Sequence, residues 1–114
     1  MVLVEAETYK TVATLETGKN PHEVRVSPDH RHAYVAAGKS ITAIDLKERK
    51  VKATFDLGTH SAHDIRVSRD GRRIWAACAR TQVILELDSE TGKILKTYPT
   101  NQEGSWFVDR KSVV

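Results

Sequence analysis

The chain has 114 residues, a length that suits one ordinary domain. It carries 18 Lys and Arg against 15 Asp and Glu, interleaved along the sequence, so the net charge of +3 lacks the clustering typical of nucleic-acid-binding surfaces. No run approaches the roughly 20 apolar residues that span a membrane, and the single cysteine, Cys78, excludes an internal disulfide and a cysteine-based zinc site. We therefore expect no nucleic-acid partner and no membrane span.

The sequence repeats itself about 41 residues further on. PHEVRVSPD at 21–29 aligns with AHDIRVSRD at 62–70, and after a two-residue insertion AID at 43–45 aligns with ELD at 86–88. Each unit contains four short runs of alternating apolar and polar residues, separated by turn residues, and this pattern predicts four β-strands. A repeat of this length with four strands is typical of a β-propeller blade.

In chain order, the repeat divides the sequence into successive pieces of a propeller. We predict the end of one blade at 2–18, complete blades at 20–58 and 61–100, and the start of another blade at 104–108. In the first complete blade the strands are expected at 22–27, 33–37, 41–46 and 51–57. No segment has a helical apolar period. The predicted fold class is therefore all-β: a propeller fragment of four-stranded antiparallel blades, about two and a half in number, whose ring is not closed.

The last six residues, DRKSVV at 109–114, do not continue the repeat. They resemble the translated read-through of a common sequencing adapter. A repeat array broken within a blade would also expose sheet faces that stacking normally covers. We interpret this tail as a sequencing artefact, and a genuine divergent tail is the alternative.

The units resemble the YVTN-type β-propeller repeat, whose usual pattern runs Pro-His-x-Val-x-Val-Ser-Pro-Asp-Gly, Tyr-Val-x-Asn and Val-Ile-Asp. The corresponding segments here are PHEVRVSPD at 21–29, AYVA at 33–36 and AIDL at 43–46, and the resemblance covers residues 2–108. The chain departs from the pattern at His30, where glycine is usual, and at Trp75, where tyrosine is usual. Members of this family include lactonase-like propellers and quinoprotein-like propellers that hold haem or quinone, so the resemblance implies a fold and leaves the activity open.

The leading hypothesis for function is a binding or scaffold module for a partner or small ligand, because no known catalytic motif is present. The alternative is a lactonase-like or haem- or quinone-dependent propeller enzyme with its site at the channel mouth. We expect no catalytic activity from this fragment and assign it no cofactor and no metal. The expected partners are an unidentified protein or small molecule and the missing blades of the full-length propeller. The resemblance favours a periplasmic or extracellular location, although the N-terminal residues do not form a signal peptide.

His22 and His63 are the first candidate ligand residues. They begin the innermost strand of successive blades, which places them at the channel mouth, on the face formed by the loops 17–21, 38–40, 58–62, 79–81 and 100–105. Imidazoles at equivalent sites could bind a metal or an anionic substrate. Trp106 occupies the third equivalent position, which weakens a symmetric histidine ring. The alternative is a structural histidine that hydrogen-bonds the backbone at a blade junction.

Acidic residues follow these histidines, and arginines lie two positions further on the same side of the strand: Glu23 with Arg25, and Asp64 with Arg66. We predict a structural ladder of acid–arginine pairs that repeats between blades. A pair of catalytic carboxylates is the alternative, which would need both groups near one bond.

Three further histidines have weaker metal-like spacing. His30 and His32 lie in a turn on the opposite face and are expected to be solvated, and His60 adds one more imidazole. The lone Cys78 is expected to be a small packed residue.

The remaining polar and aromatic positions are expected to serve the fold. Asp45, Asp88 and Glu5 end the third strand of each unit and are expected to accept backbone N–H bonds in the next turn. Tyr34 and Trp75 are expected in the core between blades.

Overall fold

The structure, a computed structural model, describes residues 2–4, 11–14 and 21–100. These residues form ten β-strands and no helix. The first two strands pair with each other, and the other eight form two antiparallel four-stranded sheets. The strands are β1 Val2–Val4, β2 Thr11–Thr14, β3 Pro21–Val26, β4 His32–Ala37, β5 Ser40–Asp45, β6 Lys50–Asp56, β7 Asp64–Val67, β8 Arg73–Cys78, β9 Val83–Asp88 and β10 Ile94–Pro99.

Each four-stranded sheet is a simple meander, with β3 to β6 in one, here blade 1, and β7 to β10 in the other, here blade 2. The two sheets are open and do not close a ring, so the predicted fold class, an all-β propeller fragment, is confirmed. Within these residues, no helix is long and apolar enough to cross a membrane.

The turn between the first two strands of each blade is held by a serine and an aspartate. In blade 1 the Ser27 hydroxyl donates to Asp29 Oδ1 at 2.5 Å, and the same carboxylate accepts from the Arg31 backbone N–H at 3.0 Å. Blade 2 repeats this arrangement with Ser68 and Asp70. The fourth residue of this turn has a left-handed backbone in both blades, with a φ of 61° at His30 and 74° at Gly71. Histidine therefore adopts the conformation for which the repeat usually has glycine.

Blades 1 and 2 pack face to face, and their facing apolar side chains form the main core. Tyr34 is only 3% exposed and lies in this core, as predicted. The same core includes Ile41, Ala43, Phe55 and Leu57 from blade 1 and Ile65, Ile74, Leu85 and Leu87 from blade 2. Trp75 is instead half-buried and packs beside Tyr98 of its own blade, with ring centroids 6.2 Å apart. Trp75 lies on the face of blade 2 that is opposite to blade 1. The interblade position predicted for it is therefore not seen among the described residues.

Because each sheet is a meander, the connections between strands lie at two opposite ends of the strands. The connections 38–39, 57–63 and 79–82 lie on one face, here the upper face, where the Ala62 N–H donates to the Gly38 carbonyl at 3.2 Å. The turns 27–31, 46–49, 68–72 and 89–93 lie on the opposite, lower face.

Candidate functional site

His63 lies at the upper end of blade 2, directly before β7. Its backbone N–H donates to the Ala77 carbonyl at 2.9 Å, which fixes the start of the inner strand, while the residue itself is exposed. His22 begins blade 1 as the second residue of β3, but its side chain lies outside the described part of the chain, as does Trp106. A shared histidine site at the channel mouth therefore stays a prediction.

The described upper connections carry a basic set of side chains. Lys39 and Arg80 are exposed in the connections between the second and third strands of blades 1 and 2. His60 is held in the connection between the blades, with its Nδ1 2.8 Å from the Thr81 hydroxyl. Together with His63 these groups lie on the three connections 38–39, 57–63 and 79–82, which contain no Asp or Glu. Asp56 is the acidic neighbour of this set: it is exposed at the end of β6 and accepts from the Gly58 N–H at 2.8 Å. The connections themselves carry only basic groups and therefore favour anionic ones.

The predicted acid–arginine ladder is present on the inner strands. Arg25 Nη2 lies 2.7 Å from Glu23 Oε1 and 3.5 Å from Asp64 Oδ1, and Arg66 Nη1 lies 2.9 Å from Asp64 Oδ1. Arg25 Nε also donates to the Ile65 carbonyl at 3.1 Å, which ties β3 to β7. The two carboxylates are thus neutralised by the two arginines, as suits a structural ladder.

The lower face has a cleft of about 190 Å³ between the two blades. His32 and Lys52 line it from blade 1, and Arg72 and Glu90 line it from blade 2. His32 stacks on Tyr34 with ring centroids 6.3 Å apart, and His30 is exposed in the preceding turn. Among the described residues, no three His, Cys, Asp or Glu side chains come together as a metal site.

The aspartates that end the third strands cap the following turns, as predicted. Asp45 Oδ1 accepts from the Glu48 N–H at 2.8 Å, and Asp88 Oδ1 accepts from the N–H groups of Glu90 and Thr91 at 2.8 and 3.1 Å. These bonds lower the pKa of both carboxyl groups. Glu5, expected to act likewise, lies outside the described residues.

Cys78 is packed in the core, as predicted, and is 1% exposed. Burial raises the pKa of its thiol to about 11, so the group stays protonated and unreactive near neutral pH.

Sequence reasoning missed two features of the molecule. It did not identify Lys39 and Arg80, because single basic residues in short loops carry no motif. It also missed the charged group Glu86 on the outward face of blade 2, although the alignment of Glu86 with Ala43 was a signal that this face differs from its counterpart in blade 1.

Three solved structures show the same fold. Hydrazine synthase from Kuenenia stuttgartiensis matches with a TM-score of 0.81 and 21% identity, over 90% of this chain and 30% of that one. The dihydro-heme d1 dehydrogenase NirN in complex with DHE matches with a TM-score of 0.77 and 23% identity, over 86% of this chain and 21% of that one. The β-propeller domain of Cps50 (Swd1) from Myceliophteria thermophila matches with a TM-score of 0.69 and 17% identity, over 81% of this chain and 29% of that one.

At these identities the solved structures establish the propeller fold alone, and the chain spans less than a third of the length of each. No curated protein matches the chain. The model of one protein family, described as the cytochrome D1 heme domain, matches residues 1–111. Because that match covers nearly the whole sequence, the chain belongs to the cytochrome D1 heme domain family of β-propellers.

Proposed function

We propose that this chain supplies two blades of a haem-carrying propeller, and that the upper face forms part of the rim of the haem pocket. The match of residues 1–111 to the cytochrome D1 heme domain carries this proposal. Of the two functions considered in the sequence analysis, this match favours the haem-dependent propeller over a binding or scaffold module without a cofactor. The finer YVTN-type assignment, the blade boundaries at 20–58 and 61–100 and a periplasmic or extracellular location remain predictions.

The residues of the upper face fit such a group. Haem carries carboxylates at its edge and an iron that accepts an imidazole nitrogen. Lys39 and Arg80 are exposed cations on neighbouring connections, and they would pair with carboxylates. His63 is an exposed imidazole at the start of an inner strand, where it would face the iron or a ligand on it. When bound, haem would supply electron-transfer and small-ligand chemistry, while these side chains bind and orient it.

One solved relative adds support through the ligand that its description names. The dehydrogenase NirN was solved in complex with DHE, and its described activity is on a dihydro-heme d1. A tetrapyrrole with several carboxylates is therefore the class of ligand that we propose for this chain.

The test is a haem titration of the complete polypeptide that contains these blades, followed by absorption in the Soret region. We expect saturable binding that Arg80→Ala weakens about tenfold, the effect of losing one charge-assisted bond of about 1.4 kcal/mol. Arg69→Ala is the matched control, because Arg69 is an exposed arginine of the same blade on the lower face. We expect it to leave the affinity unchanged.

A second pair of variants tests the imidazole. His63→Asn should change the Soret maximum or lower the affinity for haem. His30→Asn is the control and should do neither, because His30 is exposed on the lower face. Asparagine also tolerates the left-handed backbone found at position 30. Absence of haem binding by the complete polypeptide would refute the function. Binding that is insensitive to both Arg80 and His63 would refute the upper face as the site.

A further inference from the structure

The two hairpin tips of the upper face, which join the second and third strands of each blade, differ in length. The tip of blade 1 consists of two residues, 38–39, and that of blade 2 of four, 79–82. The two additional residues coincide with the insertion that interrupts the alignment of the two units. Lys39 is the exposed cation of the short tip, and Arg80 is that of the long tip. How each tip is held therefore decides where its cation lies.

The short tip of blade 1 is held by the backbone of the connection between the blades. The Leu57 N–H donates to the Lys39 carbonyl at 2.8 Å, and the Ala62 N–H donates to the Gly38 carbonyl at 3.2 Å. Both residues of this tip are thus bonded to the connection 57–63 by main-chain groups, which do not depend on a particular side chain.

The long tip of blade 2 is held differently. Its turn is closed by a bond from the Gln82 N–H to the Ala79 carbonyl at 3.2 Å, and its base is joined to the end of β10 by the Thr100 N–H, which donates to the Gln82 carbonyl at 2.9 Å. At the end of the tip, the Thr81 hydroxyl lies 2.8 Å from His60 Nδ1. The long tip is therefore joined to the interblade connection through a pair of side chains.

The backbone of the connection places His60 for this contact. The His60 N–H donates to the Leu57 carbonyl at 3.2 Å, which folds the connection into a turn directly after the bond from Leu57 to the tip of blade 1. The connection thus bonds one tip at its beginning and the other through His60. The imidazole can bond the Thr81 hydroxyl in either protonation state, because Nδ1 donates when it carries a proton and accepts when it does not.

We propose that His60 is a positioning residue, whose bond to Thr81 fixes the long tip and thereby the neighbouring Arg80. This inference rests on the function proposed above, in which Arg80 pairs with a carboxylate at the haem edge. An arginine on a loosely held tip loses freedom of motion when it binds a ligand, and a tip that is fixed beforehand reduces that loss. His60 thereby raises the affinity for an anionic ligand without contacting it.

Amide hydrogen exchange of the complete polypeptide without haem tests whether His60 supports the tip. Thr81→Val removes the hydroxyl at nearly constant shape, whereas Thr81→Ser keeps it. We expect the Gln82 amide, which closes the tip, to exchange about threefold to tenfold faster in Thr81→Val and in His60→Phe, and at the wild-type rate in Thr81→Ser. The Leu57 amide, which is bonded to the tip of blade 1, is the internal reference and should not change in any variant.

Thr59→Val is the matched control for the exchange measurement, because Thr59 is an exposed threonine of the same connection. We expect it to leave the exchange of the Gln82 amide unchanged. Equal exchange of this amide in Thr81→Val and Thr81→Ser would overturn the proposal, since the tip would then not depend on the hydroxyl.

A double-mutant cycle in haem affinity separates positioning from direct contact. His60→Phe should weaken haem binding about threefold to tenfold when Arg80 is present, and it should have no effect in an Arg80→Ala background, because His60 acts through Arg80. An equal loss of affinity in both backgrounds would mean that His60 contacts the ligand itself, and the positioning role would be wrong. If the wild-type polypeptide bound no haem, the proposed function would fail, whereas the exchange measurement would still decide whether His60 holds the tip.

Discussion

Arg25 on β3 reaches Asp64 on β7 across the boundary between the two blades, with 3.5 Å between Nη2 and Oδ1. The same guanidinium holds Glu23 of its own strand at 2.7 Å and donates from Nε to the Ile65 carbonyl at 3.1 Å. One side chain thus joins two inner strands that belong to different sheets. Since each sheet pairs its strands only within itself, such contacts decide how neighbouring blades are aligned.

We expect Arg25→Met to lower the free energy of unfolding by about 1 kcal/mol, because the hydrogen bond to Ile65 is lost while the apolar stem is kept. The ion pairs are partly exposed and add little to this value. Urea unfolding at neutral pH measures the effect. Arg69→Met, at an exposed arginine of blade 2, is the control and should be close to neutral. Equal stabilities of the two variants would contradict the role assigned to Arg25.

Gly92 and Gly71 provide a matched pair for testing close packing between blades. Both have a φ of 74°, so replacement by alanine strains the backbone equally. A Cβ on Gly71 would meet open space, whereas one on Gly92 would overlap the Phe55 side chain of blade 1. We expect Gly71→Ala to cost about 1 kcal/mol and Gly92→Ala to cost about 1–3 kcal/mol more.

Thermal or urea unfolding measures this difference between the two glycine variants. A Phe55→Ala background supplies the control. Removal of the ring should reduce the difference between the two alanine substitutions without abolishing it, because the Cβ that remains at position 55 lies 2.8 Å from the added methyl group. If Gly92→Ala were as stable as Gly71→Ala in the wild-type background, the Phe55 ring would be able to move aside at no cost in free energy of unfolding.

Cys78 should make the fold sensitive to alkaline pH. Its thiol pKa is raised from 9.0 to about 11 in the folded chain, because burial disfavours the thiolate. Below pH 9 both states keep the proton, so stability is unaffected. Between pH 9 and 11 only the unfolded state loses it, so stability falls, by roughly 2–3 kcal/mol at about pH 11.

Urea unfolding of the wild type and of Cys78→Ala from pH 8 to pH 11 isolates this contribution, since all other titrating groups are shared. The alkaline fall should be shallower in the variant. Parallel pH profiles would mean that the thiol is accessible to water in the folded state, and rapid labelling by a thiol reagent at pH 8 would lead to the same conclusion.

The turn aspartates should make the fold sensitive to acid. The Ser68 hydroxyl and the Arg72 backbone N–H lower the pKa of Asp70, and Ser27 and Arg31 do the same for Asp29. These carboxylates therefore stabilise the fold above their pKa in the unfolded chain, and the effect is lost as the pH falls through the lower folded value. We expect Asp70→Asn to be less stable than the wild type at pH 7 and to converge with it at pH 2. A difference that persists unchanged at pH 2 would show that the charge is not responsible.

Much of this molecule follows from local sequence. The alternation of apolar and polar residues predicted the four strands of blade 1, and their observed bounds agree with expectation to within one residue, as β4 at His32–Ala37 shows against 33–37. Turn chemistry likewise predicted the caps at Asp45 and Asp88, because an aspartate reaches N–H groups two or three residues further along. The acid–arginine ladder was also predictable, since Glu23 and Arg25 share one side of a strand and the pattern recurs at Asp64 and Arg66.

Tertiary structure decided what depends on residues about 40 positions apart. Tyr34 is buried, whereas its counterpart Trp75 is only half-buried. The difference depends on which face of each sheet has a neighbouring blade. The pairing of Glu86 with Arg73 and Tyr98 requires three strands in register, and the basic upper face requires that separate short loops meet at one end of the stack. The repeat by itself specifies a blade, because strand alternation and turns are local, whereas the stacking of blades is set by side chains that meet only after the sheets have formed.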